Sequence, residues 1–204
     1  MPDANTSHDP LAQKKQIREE AHRRRNAQPN KDELSLSICS QFMNLPEYTP
    51  SKSVMFYVDA RSEVRTRHSL QKALETRKKI VVPWCNPNQE LELFHLEAMA
   101  ELALGMYKIL EPLPELRHQP HKVVQPEELD LVMVPGVAFD RRGARMGHGF
   151  GYYDKLLHRV RPGVPLVALA FECQFFPEIP TQEHDIFMDK IITEAAIYSG
   201  KGRT

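Results

Sequence analysis

Between an apolar segment ending at Val134 and an amphipathic one beginning at Tyr152 lies a connection that contains Gly143, Gly147, Gly149 and Gly151. Glycine lets a backbone turn tightly and approach a ligand closely, and successive outward amides of such a loop form an anion-binding nest. A helix starting directly after the loop adds the positive end of its dipole, worth about 0.3 to 1 kcal/mol at exposed sites. Phosphate suits this chemistry. Arg145 supplies a planar fork for phosphate oxygens, and Asp154 supplies a hard oxygen for magnesium, directly or through water. Together they point to magnesium-bound ATP. The spacing matches neither the Walker A loop nor the G-x-G-x-x-G dinucleotide fingerprint, because Gly149-Phe150-Gly151 runs into Tyr152-Tyr153-Asp154. Taken alone, a G-x-G-x-G can serve nothing more than tight packing.

Strands and helices must hold this loop in place. Residues 1–10 read as a flexible tail. Leu11 to Ala27, rich in Lys, Arg, Glu and Gln, suits an exposed helix that ends before Pro29. Asn30 and Glu33 have capping-box spacing, and Leu34, Ile38, Phe42 and Leu45 then recur at helical intervals up to Pro46. Ser53 to Val58 and Lys79 to Pro83 read as strands, with a helix from Glu63 to Arg77 between them. The pattern repeats as a strand over Asp130 to Val134, the glycine connection, a helix over Tyr152 to Val160 and a strand over Leu166 to Phe171. Ile186 to Thr193 supplies a further strand. Between Pro87 and Pro126 the prolines, Pro112, Pro114 and Pro120 among them, favour irregular loops or edge strands. This alternation predicts a single α/β domain over residues 11–204, a three-layer, mainly parallel sheet flanked by helices. Ligands of such sheets gather beyond the carboxyl ends of strands, so the loops after Val58 and Val134 are the places to look.

Composition narrows the function classes. In 204 residues, 27 Lys and Arg balance 27 Asp and Glu, so no net field advertises a nucleic acid or membrane partner. Cys39, Cys85 and Cys173 are odd in number and lack CxxC spacing, which argues against a disulfide framework or a structural zinc and fits a reducing cytoplasm. The first residues carry no apolar targeting core, and no apolar run is long enough to cross a bilayer. A monomer is expected.

The whole stretch from Val134 to Asp154 closely resembles the signature of the 5-formyltetrahydrofolate cyclo-ligase family, also called 5,10-methenyltetrahydrofolate synthetase. That signature combines Pro-Gly, Ala-Phe-Asp and Arg-x-Gly-x-Gly-x-Gly-Tyr-Tyr-Asp, here Pro135-Gly136, Ala138-Phe139-Asp140 and Arg145 to Asp154. Weaker marks follow in the family's order: Lys14-Lys15-Gln16-Ile17-Arg18, Ser62-Glu63-Val64-x-Thr66, Glu111-Pro112, His184-Asp185, Asp189 and Ile191-Ile192-Thr193-Glu194. The resemblance thus runs from about residue 14 to 194 and implies the NagB/RpiA/CoA transferase-like architecture.

The resemblance also implies a reaction. 5-Formyltetrahydrofolate and ATP would become 5,10-methenyltetrahydrofolate, ADP and phosphate, with magnesium required. The formyl oxygen would attack the γ-phosphate to give a phosphorylated iminium, and N10 would close the ring without a side-chain nucleophile. By the same resemblance, Lys14, Lys15, Gln16, Ile17 and Arg18 bind ATP together with Arg145, Met146, Gly147, His148, Gly149, Phe150, Gly151, Tyr152 and Tyr153. Val58 and Glu63 bind folate with Gly149 to Tyr153. Arg145, Tyr152 and Asp154 are the catalytic set, and Asp154 and Asp189 hold magnesium. His184 and Asp185 are assigned structural or positioning roles. Read without the resemblance, Lys14 and Arg18 are a solvated basic face, Glu63 a helix-start charge, and Asp154 a helix cap.

Two residues depart from the family pattern beside these positions. Arg65 is expected to alter recognition of the folate, including a polyglutamate tail, and Phe150 adds bulk to a loop that needs close approach. Two other readings stay open on the residues: a non-catalytic folate or nucleotide binder with a drifted site, and another enzyme of similar architecture such as a sugar-phosphate isomerase or CoA transferase.

Overall fold

A computed structural model describes residues 10–105, 108–183 and 185–203. The chain runs through α1 (Pro10–Ala27), α2 (Lys31–Met43), β1 (Ser53–Met55), α3 (Arg67–Leu74), β2 (Lys79–Cys85), β3 (Leu91–Leu96), β4 (Leu102–Leu104), β5 (Leu110–Pro112) and β6 (Val123–Val124). It continues through β7 (Leu131–Val134), β8 (Ala138–Phe139), β9 (Arg145–Met146), α4 (Tyr152–Arg159), β10 (Leu166–Leu169), β11 (Lys190–Ile192) and β12 (Ile197–Ser199). An eight-stranded sheet has the order β12-β11-β10-β7-β1-β2-β3-β6. Its five central strands are parallel, in a register that sets Val54 opposite Ile80 and Leu131, while β12, β3 and β6 each pair antiparallel with the next strand inward at the two sides.

Side chains alternate across this sheet with the period of two that extended backbone imposes. Val54, Ile80, Val82, Leu131, Met133, Val167 and Leu169 join Ile38 and Phe42 of α2 and Leu70 and Ala73 of α3 on one face. Met55, Val81, Val132, Val134, Leu166 and Ala168 join Leu156 and Leu157 of α4 on the other. Both faces are covered, which is why the central strands are apolar throughout. Three layers result. No helix among the described residues is long and apolar enough to cross a membrane.

The topology fixes where a ligand can enter. From β1 the chain moves through α3 to β2 on one side, and from β7 it moves through α4 to β10 on the other. The two loops that leave the adjacent strands β1 and β7 therefore part at a topological switch point, where open α/β sheets form their crevice.

Several elements differ from their sequence expectations. Asn30 takes a left-handed backbone (φ 52°) and its side chain makes no cap bond, so the expected capping box does not form. β1 is shorter than Ser53 to Val58, and the helix expected from Glu63 starts only at Arg67. Both changes have one cause: Thr66 Oγ1 donates to Tyr57 O at 2.7 Å while Asp59 Oδ1 accepts from the Thr66 amide at 3.0 Å, closing residues 57–66 into a compact loop. α1 is not simply exposed, because Ala21 and Arg25 are buried where it packs on β8 and the turn at Glu172–Gln174. The tail expected over residues 1–10 falls outside the described residues except for Pro10, which opens α1. The proline-rich region contributes edge strand β6 but also the six-residue β3, paired along β2.

Candidate active site

A cleft of about 630 Å³ opens at the switch point, between the glycine connection and the loop after β1. The glycine side begins with the short β8-β9 hairpin. Its turn is set by Asp140, fully buried, whose carboxylate accepts from the Arg142 guanidinium at 2.8 Å and from the amides of Ala144 and Ile179 at 3.2 and 3.0 Å. Gly143 has a left-handed backbone (φ 92°), and a Cβ there would meet Met188 O at 2.5 Å, so only glycine fits. The hairpin delivers Arg145 into the cleft with its side chain almost wholly buried. There its Nη2 donates to Asp154 Oδ1 at 2.5 Å and its Nη1 to Pro135 O at 3.4 Å. Arg145 Nε is buried without a partner. An unpaired guanidinium N–H inside a cleft calls for an acceptor from a ligand.

Beyond Arg145 the backbone stays open. Gly147 O accepts from Arg18 Nε at 3.0 Å, Gly149 is left-handed (φ 101°), and Gly151 (φ 71°) caps α4 so that the amino end of this helix points at the cleft. Lys14 stands beside Asp185 at 3.9 Å, and both line the cleft. This wall combines three cations, free-standing amides and a helix amino end, the elements of a phosphate site.

The opposite wall is built from buried polar side chains. Glu63 is 8% exposed, and its Oε2 accepts from the Ala60 amide at 2.9 Å. Burial raises its carboxyl above the usual carboxylate value, with the Ala60 amide and the nearby Arg25 charge opposing that rise. Tyr57, buried below it, donates to Val64 O at 3.0 Å, and Val58 and Tyr153 complete the lining. A desolvated carboxylate among aromatic rings is an acceptor for the N–H groups of a planar heterocycle.

The structure sorts the expected site residues. Lys14, Arg18, Val58, Glu63 and all of Arg145 to Asp154 line the cleft. Lys15, Gln16 and Ile17 do not. Helical periodicity carries Lys14 and Arg18 to one face and turns the others away: Lys15 pairs with Glu19, Gln16 is exposed, and Ile17 packs against the small cluster around Val137. Asp154 and Asp189 are not brought together. Asp189 lies just before β11, where its Oδ2 accepts from the amide of Leu166, the first residue of β10, at 2.7 Å. That is the amino end of the parallel strands, whereas Asp154 stands beyond their carboxyl ends. Arg65 also faces away, paired with Asp32 of α2. Phe150 is 68% exposed and stacks on Tyr152 at 5.4 Å along the cleft lining. His184 lies outside the described residues.

Other lining residues were not among the expected site residues. Trp84 and Cys85 come from the end of β2, Glu111 from β5, Arg61 from the loop after β1, and Gln182 from the segment before β11. Glu111 did belong to a weak family mark, but nothing local told what it faces. Among the described residues no group of three or more His, Cys, Asp or Glu is placed to hold a metal.

Comparison with known proteins finds relatives over most of the chain. The model of the 5-formyltetrahydrofolate cyclo-ligase family matches residues 10–194. A Schizosaccharomyces pombe protein named probable 5-formyltetrahydrofolate cyclo-ligase is 32% identical over 176 residues, covering 79% of this chain and 84% of its own. The 5-formyltetrahydrofolate cyclo-ligase of Mus musculus is 30% identical over 199 residues, with 89% and 93% covered. Among solved structures, 5,10-methenyltetrahydrofolate synthetase from Aquifex aeolicus is similar with a TM-score of 0.78 at 33% identity, over 94% of this chain and 95% of that one.

Proposed function

The chain belongs to the 5-formyltetrahydrofolate cyclo-ligase family, and we propose that it converts 5-formyltetrahydrofolate and ATP into 5,10-methenyltetrahydrofolate, ADP and phosphate. One observation carries this reading: a single cleft joins a cationic glycine wall suited to phosphates with a buried carboxylate wall suited to a reduced pterin. The reaction needs both guests side by side.

In the proposed first step the formyl oxygen attacks the γ-phosphorus, the bond to the β-phosphate oxygen breaks, and ADP departs. The resulting phosphorylated iminium is attacked at the formyl carbon by N10, which gives up its proton as the carbon–oxygen bond breaks and phosphate leaves. The protein contributes alignment and charge rather than a nucleophile. Arg145, whose Nε lacks a partner, holds the transferred phosphoryl group with the amides from Gly147 to Gly151, while Lys14 and Arg18 take the remaining phosphate oxygens. Glu63 accepts from the pterin N–H groups, Val58 packs against the ring, and Tyr152 and Tyr153 orient it toward the nucleotide. Magnesium supplies charge neutralisation on the phosphate oxygens when bound. Asp154, partly exposed to the cleft, fits as its carboxylate ligand alongside the phosphates, since magnesium is commonly held by one or two carboxylates and the nucleotide itself. Asp189 does not fit that role. The three cysteines are free thiols, in keeping with a reducing compartment such as the cytoplasm.

The deciding experiment follows the near-ultraviolet absorbance of the methenyl product with ATP and magnesium present or withheld. Product that depends on both supports the proposal, and no product at enzyme-level protein concentrations overturns it. Ligand binding without ADP release points instead to a binding protein with a drifted site.

A further inference from the structure

We propose that Arg25 is a positioning residue for the folate side of the cleft, a buried cation that fixes the loop carrying Glu63 to the Pro135-Gly136 turn that begins the glycine wall. The assignment rests on the cyclo-ligase reading above. Arg25 is 1% exposed, does not line the cleft and belongs to no motif in the sequence. Its Nε donates to Ser62 Oγ at 3.0 Å, one residue from Glu63, and its Nη1 donates to Gly136 O at 3.1 Å. The side chain thus bridges the two loops that part at the switch point. Gln174 secures the same turn from a third element, donating to Gly136 O and Val137 O, each at 3.0 Å.

A buried guanidinium persists only where hydrogen bonds and a counter-charge offset its lost hydration. Here the opposite charge is Glu63, which acts on Arg25 through space and not through a direct ion pair. The charged groups around that carboxylate are Arg25 from α1 and Arg61 and Asp59 from its own loop, with the hydroxyls of Tyr57 and Tyr153 beside it. Its one hydrogen bond within the loop, from the Ala60 amide, orients it but does not anchor the loop to the rest of the molecule. Arg25 does.

Arg25 also shares the helical phase of the cleft-facing cations of α1. Lys14, Arg18, His22 and Arg25 fall on one helical face at spacings of four, four and three. The first two line the cleft, His22 packs on His148 of the glycine wall at 5.5 Å, and Arg25 is the inner anchor. A planar fork that reaches two acceptors on different loops is a task for arginine and not for lysine.

The test compares Arg25→Met and Arg25→Lys with the unaltered protein in the methenyl assay, measuring KM for 5-formyltetrahydrofolate and for ATP separately, with melting temperatures alongside. Arg25→Met should raise the folate KM about tenfold while the ATP KM moves less than about twofold, the loss of two charge-assisted bonds beside Glu63. Arg25→Lys should recover part of that rise by restoring the charge without the fork. Ser62→Ala, which removes a single acceptor, keeps the idea testable should Arg25→Met not fold, with about a threefold rise in folate KM expected. A lowered melting temperature with both KM values unmoved, or moved together, overturns the assignment. If the unaltered protein makes no methenyl product, the cyclo-ligase reading falls and this one with it; an active protein whose folate KM ignores all three substitutions refutes Arg25 alone.

Discussion

The two walls of the cleft are made by opposite means. On the glycine side the ligand-facing groups are backbone amides and arginines, and the segment from His148 to Phe150 remains exposed. Across the cleft a carboxylate and tyrosines are drawn into the interior, and residues 57–66 are closed by their own hydrogen bonds. The guests proposed above account for the difference. A triphosphate brings its own charge and is held by many donors that need only point the right way, so an open loop suffices. A reduced pterin is neutral, with a flat pyrimidine ring edged by N–H donors, and telling it from similar rings requires an acceptor that has already lost its water. One wall is therefore prepared by backbone conformation and the other by burial of charge.

This contrast has graded consequences. Arg145→Met should produce the largest, lowering kcat/KM by about 10³-fold by removing the main donor to the transferred phosphoryl group. A loss below tenfold in the methenyl assay would move that role to Arg18 and Lys14. Asp154→Asn, which keeps shape but removes charge, should lower kcat by about 10²-fold and flatten the magnesium dependence, and titration of rate against magnesium decides it. Wild-type kinetics would refute the metal role.

Glu63→Gln should raise the folate KM by about 30-fold and leave the ATP KM unchanged. Its effect on stability should have the other sign. Because burial raises this carboxyl above the ordinary glutamate value of 4.5, the stability it contributes is complete below that value and is lost as pH rises through the folded-state value. Thermal melts at about pH 8 should thus find Glu63→Gln more stable than the unaltered protein, with the advantage shrinking as pH falls toward the carboxylate range. A constant difference across that range would show that the buried charge is not its cause.

Gly149→Ala places a side chain at φ 101°, where its Cβ would stand 3.5 Å from the Arg18 guanidinium. Distortion of about 1 to 3 kcal/mol at this position should raise the ATP KM about tenfold with little change for folate. Equal changes for both substrates would mean that the walls are not independent. The smallest kinetic effect belongs to Asp189→Ala. It removes the acceptor for the Leu166 amide, so denaturant melts should show about 1 kcal/mol less stability while turnover stays as it was. A turnover loss like that of Asp154→Asn would restore Asp189 to the site.

Which of these residues could be read beforehand follows from the range of the interactions involved. The glycine connection was legible because its requirements are local: positive φ, an approachable backbone and a helix start all leave marks within the segment from Gly143 to Tyr152. The apolar alternation of the central strands was legible for the same reason. Residues 63–66 looked like the start of a helix because Val64, Leu70, Ala73 and Leu74 share a helical phase, and nothing in that pattern announced the bond from Thr66 back to Tyr57. Lys15, Gln16 and Ile17 could have been set aside from sequence, since one helix face cannot hold five consecutive residues. Arg25 had a faint signal in its phase with Lys14 and Arg18, but in a run of three arginines the phase alone does not say which one is buried.

The sequence by itself determined the α/β alternation, the glycine-rich connection to which the proposed function assigns phosphate, and the family, because each is written in residues close together along the chain. Only the tertiary structure decided that Asp154 and Asp189 stand at opposite ends of the strands, that Arg65 turns toward α2, and that Arg25 ties both walls together. Strand order and the end of a strand at which a residue emerges are set by packing between distant segments, and a carboxylate in the chain carries no mark of which end it will occupy.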